Sequence, residues 1–374
     1  MQPKIIIFLI FLTTIYGCGS PEPNPGSDNK YAHGFSIYEE NGIRKVTVRN
    51  PWEKARNIEI DYYLIDRNLS IPLSLNGKNI IHTPVEKIIC LSTTHLAFLD
   101  ALGEINKVVG ISGSRYISNP IVRDGVARAE IVDVGYGQNL NYEEIINRRP
   151  DVVMVYGVDS EITGFLNKFH DLGIPAILNA EYLEASPLGK AEWIKFVGAL
   201  FDKSAMADSI FSAIEANYLR LSGIATSEPI KPKVMVGLPY RDSWWVPGGN
   251  SYLAKLIADA GGDYIGKENT SRESFVISFE EALLWAEKAD VWINLNMVSS
   301  KKEILGIDNR FEKFKVFRLG KIYNNNLRTT DLGGNDFWES GAVAPHHLLA
   351  DLIKIFHPQL LPSSHAFEYY QEIK

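Results

Sequence analysis

The chain has 374 residues, 45% of them hydrophobic, with a net charge of −7 and only two cysteines. No basic run occurs along it, which argues against nucleic acid and against a polybasic membrane patch as partners. Cys18 and Cys90 offer no disulfide framework, so the fold must be held by its core, and a chain of this length can form two domains.

Met1-Gln2-Pro3-Lys4 leads into an almost unbroken apolar run from Ile5 to Ile15, followed by Tyr16-Gly17-Cys18. One positive charge, about ten apolar residues and a small residue before cysteine have the form of a secretory signal. The run is shorter than the roughly 20 residues a membrane span needs. Ile15-Tyr16-Gly17-Cys18 resembles a bacterial lipobox, with Ile where Leu is usual. Residues 1–17 then form the signal peptide, and Cys18 becomes a lipidated first residue. Several acyl chains hold a soluble domain at a membrane, because each buried methylene adds about 0.8 kcal/mol. Pro21, Pro23 and Pro25, set among Gly, Ser, Asn and Asp, make 18–30 a tether.

Residues 31–83 read as a small β-rich appendage. Phe35–Tyr38 and Ile43–Arg49 flank Asn41-Gly42, a strong hairpin signal, Ile58–Ile65 continues the strand pattern, and Asn76-Gly77 suggests a further turn. From 84 to 202 strand and helix alternate: Lys87–Leu91, a helix ended by Gly103, then Lys107–Ile111, Asp151–Val155 and Pro175–Asn179 as strands of a mainly parallel sheet. Residues 203–225 form one long helix, with Met206, Ile210, Ile214, Tyr218 and Leu221 as its apolar stripe. The alternation restarts over 226–374, with Lys233–Gly237, Asp290–Asn294 and Lys315–Arg318 as strands. The halves echo each other: Leu96–Gly103 parallels Leu253–Gly261, and Tyr142-Glu143-Glu144 parallels Phe279-Glu280-Glu281, each before a strand opening Asp-Val. The expected fold is α/β: two doubly wound lobes with mainly parallel sheets, joined by one long helix and preceded by the appendage.

Val85–His95, Leu99–Gly103, Val108–Ile111 and Asn139–Glu143 through Arg149-Pro150-Asp151 resemble the periplasmic binding proteins for ferric siderophores, haem and vitamin B12. Trp245–Ser251, Ala260-Gly-Gly262 and Asp336–Gly341 take the corresponding places in the second half. The resemblance runs from about Pro84 to Leu361 and leaves the appendage outside it. It implies a receptor without catalysis or resident cofactor, a monomer that closes on an iron chelate, haem or corrinoid and delivers it to the permease dimer of an ABC transporter. It also implies that Glu143 and Glu280, one on the rim of each lobe, meet basic residues of that permease.

Ligands of open α/β sheets bind beyond the carboxyl ends of the strands. The loops there hold His95, Arg115, Tyr136, Arg241, Trp245 and Trp338. Aromatic faces suit large rings, and arginine pairs with carboxylate or catecholate in a forked geometry. The family resemblance makes Trp245 and Trp338 the leading pocket candidates, with Tyr136 next. One of Trp244 and Trp245 should point inward and the other outward, because strand neighbours face opposite sides. His95 sits in a pocket loop within reach of ligand, although a satisfied polar residue is the plainer reading. His346-His347 are adjacent on a helix and do not converge on one metal, so no bare-metal site is expected. Against an enzyme, no Gly-x-Ser-x-Gly elbow, phosphate loop or complete Gly-x-Gly-x-x-Gly is present. A surface lipoprotein acting through its appendage is the remaining alternative.

Overall fold

The computed structural model describes residues 29–241 and 243–374. The signal sequence, Cys18 and nearly all of the tether therefore lie outside the described residues.

Asn41 and Gly42, at φ 53° and 75°, make the two-residue turn that hairpins require, with both centres left-handed. They join β1 (Phe35–Glu40) to β2 (Ile43–Arg49), which pair antiparallel with Glu40 opposite Ile43. Next, β3 (Glu59–Asp66) lies antiparallel on β2, and β4 (Asn79–Thr83) is parallel to β3. This sheet has no core of its own. It packs onto the following lobe, where Phe35 meets Trp193 at 4.7 Å and Phe196 at 5.6 Å between ring centres. Two buried carboxylates complete the junction. Glu192 accepts the backbone N–H groups of Lys30, Tyr31 and Ala32 at 3.0, 2.8 and 2.8 Å, and Glu184 accepts those of His33 and Gly34, both at 2.9 Å. The appendage is thus a layer of the first lobe.

That lobe contains β5 (Ile88–Cys90), β6 (Val108–Ile111), β7 (Val132–Asp133), β8 (Val152–Val155) and β9 (Ala176–Leu178), all parallel in the order β7-β6-β5-β8-β9. The central strands β5 and β8 are wholly buried, as expected of a parallel sheet covered on both faces. The second lobe contains β10 (Lys233–Val236), β11 (Trp244–Val246), β12 (Asp263–Tyr264), β13 (Phe275–Ile277), β14 (Val291–Ile293), β15 (Ile322–Asn324) and β16 (Gln371–Glu372). Its main sheet runs β12-β10-β14-β15-β16, with only β16 antiparallel, and β11 and β13 form a separate ribbon. The runs β6-β5-β8-β9 and β12-β10-β14-β15 share one strand order, which is the structural form of the echo between the halves.

The bridging helix spans Ser204–Thr226, 23 residues or roughly 35 Å at 1.5 Å per residue. Its buried line is Ala207, Phe211, Ile214, Tyr218, Leu221 and Ala225, spaced alternately four and three apart, whereas Met206 is exposed. The stripe read from sequence was one position off at its start, because alanine and phenylalanine rather than methionine face the lobes. Lys203 donates from Nζ to the Leu102 carbonyl at 2.8 Å, and the Tyr218 hydroxyl donates to Asp259 at 2.7 Å, so the helix is tied to both lobes. Lys315–Arg318 is not a strand. It belongs to a short helix, Lys315–Leu319, stopped by left-handed Gly320, and the strand follows at Ile322.

Candidate ligand-binding cleft

Strand order reverses between β5 and β8 and between β10 and β14, the positions where loops diverge and leave a crevice. In the second lobe this places Gly237 after β10, with Asn294 and Asn296 after β14. Both asparagines are left-handed, at φ 56° and 55°, a conformation asparagine tolerates better than most residues. A cleft of about 690 Å³ opens there, bounded by Trp245, Asn294 and Trp338 on one side and by Tyr182 and Leu183 of the first lobe on the other. Its size falls in the range of small-molecule sites. Trp52, Glu53 and Lys54 of the appendage also line it.

The two tryptophans of β11 divide as strand alternation requires. Trp244 is 2% exposed, against Trp292 and Phe311 at 6.3 and 5.8 Å between ring centres, whereas Trp245 is 56% exposed and faces the cleft. Trp338 also presents its ring there, held by its buried neighbour Phe337, which packs on Tyr369 and Tyr370. Asn294 is buried. Its Oδ1 accepts the Tyr370 hydroxyl at 2.8 Å, and its Nδ2 has no partner among the described residues. A buried donor left open at the floor of a cleft is suited to a ligand acceptor. Arg272 reaches across the opening and donates to the Leu183 carbonyl at 3.3 Å.

The remaining predicted residues are dispersed. Tyr136 lines a smaller pocket of about 150 Å³ at the first lobe's switch point, beside Leu91 and Phe165, with its hydroxyl 3.1 Å from that of Tyr156. Tyr182 joins the two pockets, since its hydroxyl donates to the Gly157 carbonyl at 2.7 Å and its ring lies 6.3 Å from that of Tyr156. Arg115 and Arg241 lie outside the cleft lining, each exposed and folded over the ring of its neighbour, Tyr116 or Tyr240, at 5.2 Å. His95 is neither in a loop nor satisfied. It is fully buried in the first turn of the helix Thr93–Ala101, with neither ring nitrogen partnered, and burial drives its pKa down to about 3. It does not line the cleft. Asn294, Tyr182, Trp52 and Lys54 escaped sequence reasoning. The pair of asparagines directly after a buried strand was the one available signal.

Glu143 and Glu280 occupy equivalent places. Each is the second residue of its helix, Tyr142–Arg148 or Phe279–Lys288, and each is exposed. The caps Asn141 and Ser278 accept the N–H groups of the next residues, Glu144 and Glu281, at 3.2 and 3.1 Å.

The lobes also touch beside the cleft. The Glu339 carboxylate accepts the backbone N–H groups of Ser118 and Asn119 at 2.8 and 2.7 Å. A Cβ on Gly334 would stand 2.5 Å from the Tyr116 carbonyl oxygen, so only glycine permits this approach. A second cavity of about 560 Å³ flanks the contact. Among its lining residues Arg328 pairs with Asp336 at 2.7 Å and with Glu368 at 3.1 Å. Among the described residues no cluster of His, Cys, Asp and Glu stands ready for a metal ion, and no helix is long and apolar enough to cross a membrane.

Two lobes of matching strand order, a rigid bridging helix and an aromatic cleft at the switch point define a two-lobed α/β protein built to enclose a small ligand. The chain belongs to the periplasmic binding protein family, whose match covers residues 88–315, more than half of its length. It is 29% identical over 359 residues to an uncharacterized lipoprotein of Methanocaldococcus jannaschii, covering 88% of this chain and 82% of that one. A periplasmic haem-binding protein of Pseudomonas aeruginosa matches its structure with a TM-score of 0.59 at 16% identity, over 78% of this chain and 98% of the other. A periplasmic vitamin B12-binding protein of Vibrio cholerae does so with a TM-score of 0.51 at 15% identity, over 73% and 98%. At these identities the structural likeness is one of fold.

Proposed function

We propose that the protein is the lipid-anchored receptor of an ABC importer, tethered outside the cytoplasmic membrane through Cys18, and that it captures an iron chelate, ferric siderophore or haem. The supporting observation is the cleft, where the rings of Trp245, Trp338, Trp52 and Tyr182 surround the open amide of Asn294, with Arg272 and Lys54 among its lining residues. Rings give broad contact at small entropic cost and suit a flat or chelated ligand. The receptor acts as a monomer. Glu143 and Glu280, exposed at equivalent helix starts of the two lobes, present two carboxylates whose separation matches a pair of permease cations only in one orientation.

A corrinoid is the second reading. It is favoured by the amides of Asn50, Asn294 and Asn296 and by the position of Arg115 and Arg241 outside the lining. Titration of the purified mature protein with haem, a ferric hydroxamate, a ferric catecholate and cyanocobalamin, followed by tryptophan fluorescence, separates these. Saturable quenching by an iron chelate is expected, with no turnover. Retention of cyanocobalamin alone overturns the iron-chelate reading, and retention of none overturns the receptor.

A further inference from the structure

The appendage precedes the region matched by the family, yet its β2–β3 loop reaches the cleft. Residues 50–57 leave β2 and return to β3 as a closed loop: the Asn50 N–H donates to the Ile58 carbonyl at 2.8 Å, and the Ile58 N–H donates back to the Asn50 side chain at 3.2 Å. Three of its residues are left-handed, Asn50, Lys54 and Asn57, at φ 45°, 63° and 57°. Lysine gains none of the local hydrogen bonding that lets asparagine adopt this conformation. Such backbone strain persists only where its surroundings over-determine it, and it gathers at ligand clamps.

The surroundings here do hold the loop. The Glu53 N–H donates to the Val158 carbonyl of the first lobe at 3.1 Å, and Trp52 rests part-buried on the core. The sheet behind it is anchored by the buried Glu184 and Glu192 and by the Tyr62 hydroxyl, which accepts the Leu178 N–H at 3.1 Å. Lys54 is exposed and makes no ion pair among the described residues. Trp245 and Arg272 of the second lobe line the same cleft.

We infer that the loop 50–57 is a third wall of the ligand site, with Trp52 as a ring contact and Lys54 as the cation that meets an acidic group on the ligand. It follows that the appendage helps to set specificity. This rests on the cleft being the ligand site, as proposed above. The mature protein and its Lys54→Glu and Trp52→Ala variants are titrated with haem, an anionic ferric catecholate, an uncharged ferric hydroxamate and cyanocobalamin. Lys54→Glu should weaken the anionic ligands about tenfold and change the uncharged ones less than about twofold, and Trp52→Ala should weaken every bound ligand about tenfold. Lys54 is a surface residue, so its variant folds even if Trp52→Ala does not. Wild-type binding that neither variant alters removes the loop from the site while leaving the receptor reading intact. Binding of none of the four ligands by the wild type overturns both.

Discussion

Glu339 makes the contact between the lobes titratable. Burial raises its carboxyl from the ordinary 4.5 to about 7, helped by the negative charges of Asp336 and Asp100 and opposed by the two N–H donors at Ser118 and Asn119. At about 1.4 kcal/mol for each pH unit, this corresponds to about 3 kcal/mol between the neutral and ionised forms. Because the folded pKa lies above the unfolded one, the folded state binds the proton more tightly. The stabilisation is complete below about pH 4.5 and is lost as pH rises through about 7. Glu339→Gln removes the titration, and its amide keeps an acceptor for only one of the two N–H groups. Thermal unfolding of both proteins between pH 4.5 and 8.5 isolates the effect from other titrating groups. The wild-type midpoint minus that of the variant should fall by a few degrees between about pH 4.5 and about 7 and level off above it, given a shift of roughly 2–4 °C per kcal/mol for chains approaching this size. Parallel pH profiles for the two proteins would refute the reasoning, because they would mean that Glu339 titrates alike in the folded and unfolded chain.

Three further outcomes are expected. Trp244→Ala should destabilise by about 3–5 kcal/mol in chemical denaturation, as loss of a buried indole does, whereas Trp245→Ala should change stability by less than about 1 kcal/mol and weaken ligand quenching at least tenfold. Glu192→Ala strips the acceptor from three backbone N–H groups, so it should cost about 3 kcal/mol or more and open the Lys30–Ala32 segment to limited proteolysis. Glu143→Ala combined with Glu280→Ala should leave ligand affinity and the unfolding midpoint unchanged while abolishing uptake in cells, and unimpaired uptake would remove the docking role.

The frame of the fold was legible because parallel strands buried on both faces carry unbroken apolar runs, as in Ile88–Cys90, Val152–Val155 and Val291–Ile293. Asn41-Gly42 was readable for the same local reason: few dipeptides satisfy two left-handed centres. The errors arose where local pattern under-determines the outcome. Lys315–Arg318 alternates like a strand, yet left-handed Gly320 ends it as a helical turn. Met206 fits the period of the bridging helix, but which neighbouring line of that helix is buried depends on two lobes distant in sequence. The status of the appendage depended on Glu184 and Glu192, 150 or more residues from the N–H groups they accept.

The site was less legible than the fold, and the contrast among its arginines shows why. Arg115, Arg241 and Arg272 all sit in loops beyond strand ends, and composition treats them alike. The first two instead cover their own neighbouring tyrosines, and only Arg272 reaches across to the opposite lobe. A loop side chain can fold back on its own segment or extend over a gap, and that choice depends on the distance to the facing lobe, which no local pattern encodes. The opposite facing of Trp244 and Trp245 was legible because strand alternation is a local rule. Asn294 was missed because what marks it is an unpaired Nδ2, which exists only after Tyr370, 76 residues later, has taken the other end of the amide. The donors and rings that line this cleft therefore owe their availability to partners distant in sequence. A substitution at Tyr370 should accordingly alter ligand affinity without touching the ligand, because it would free the Asn294 amide to turn.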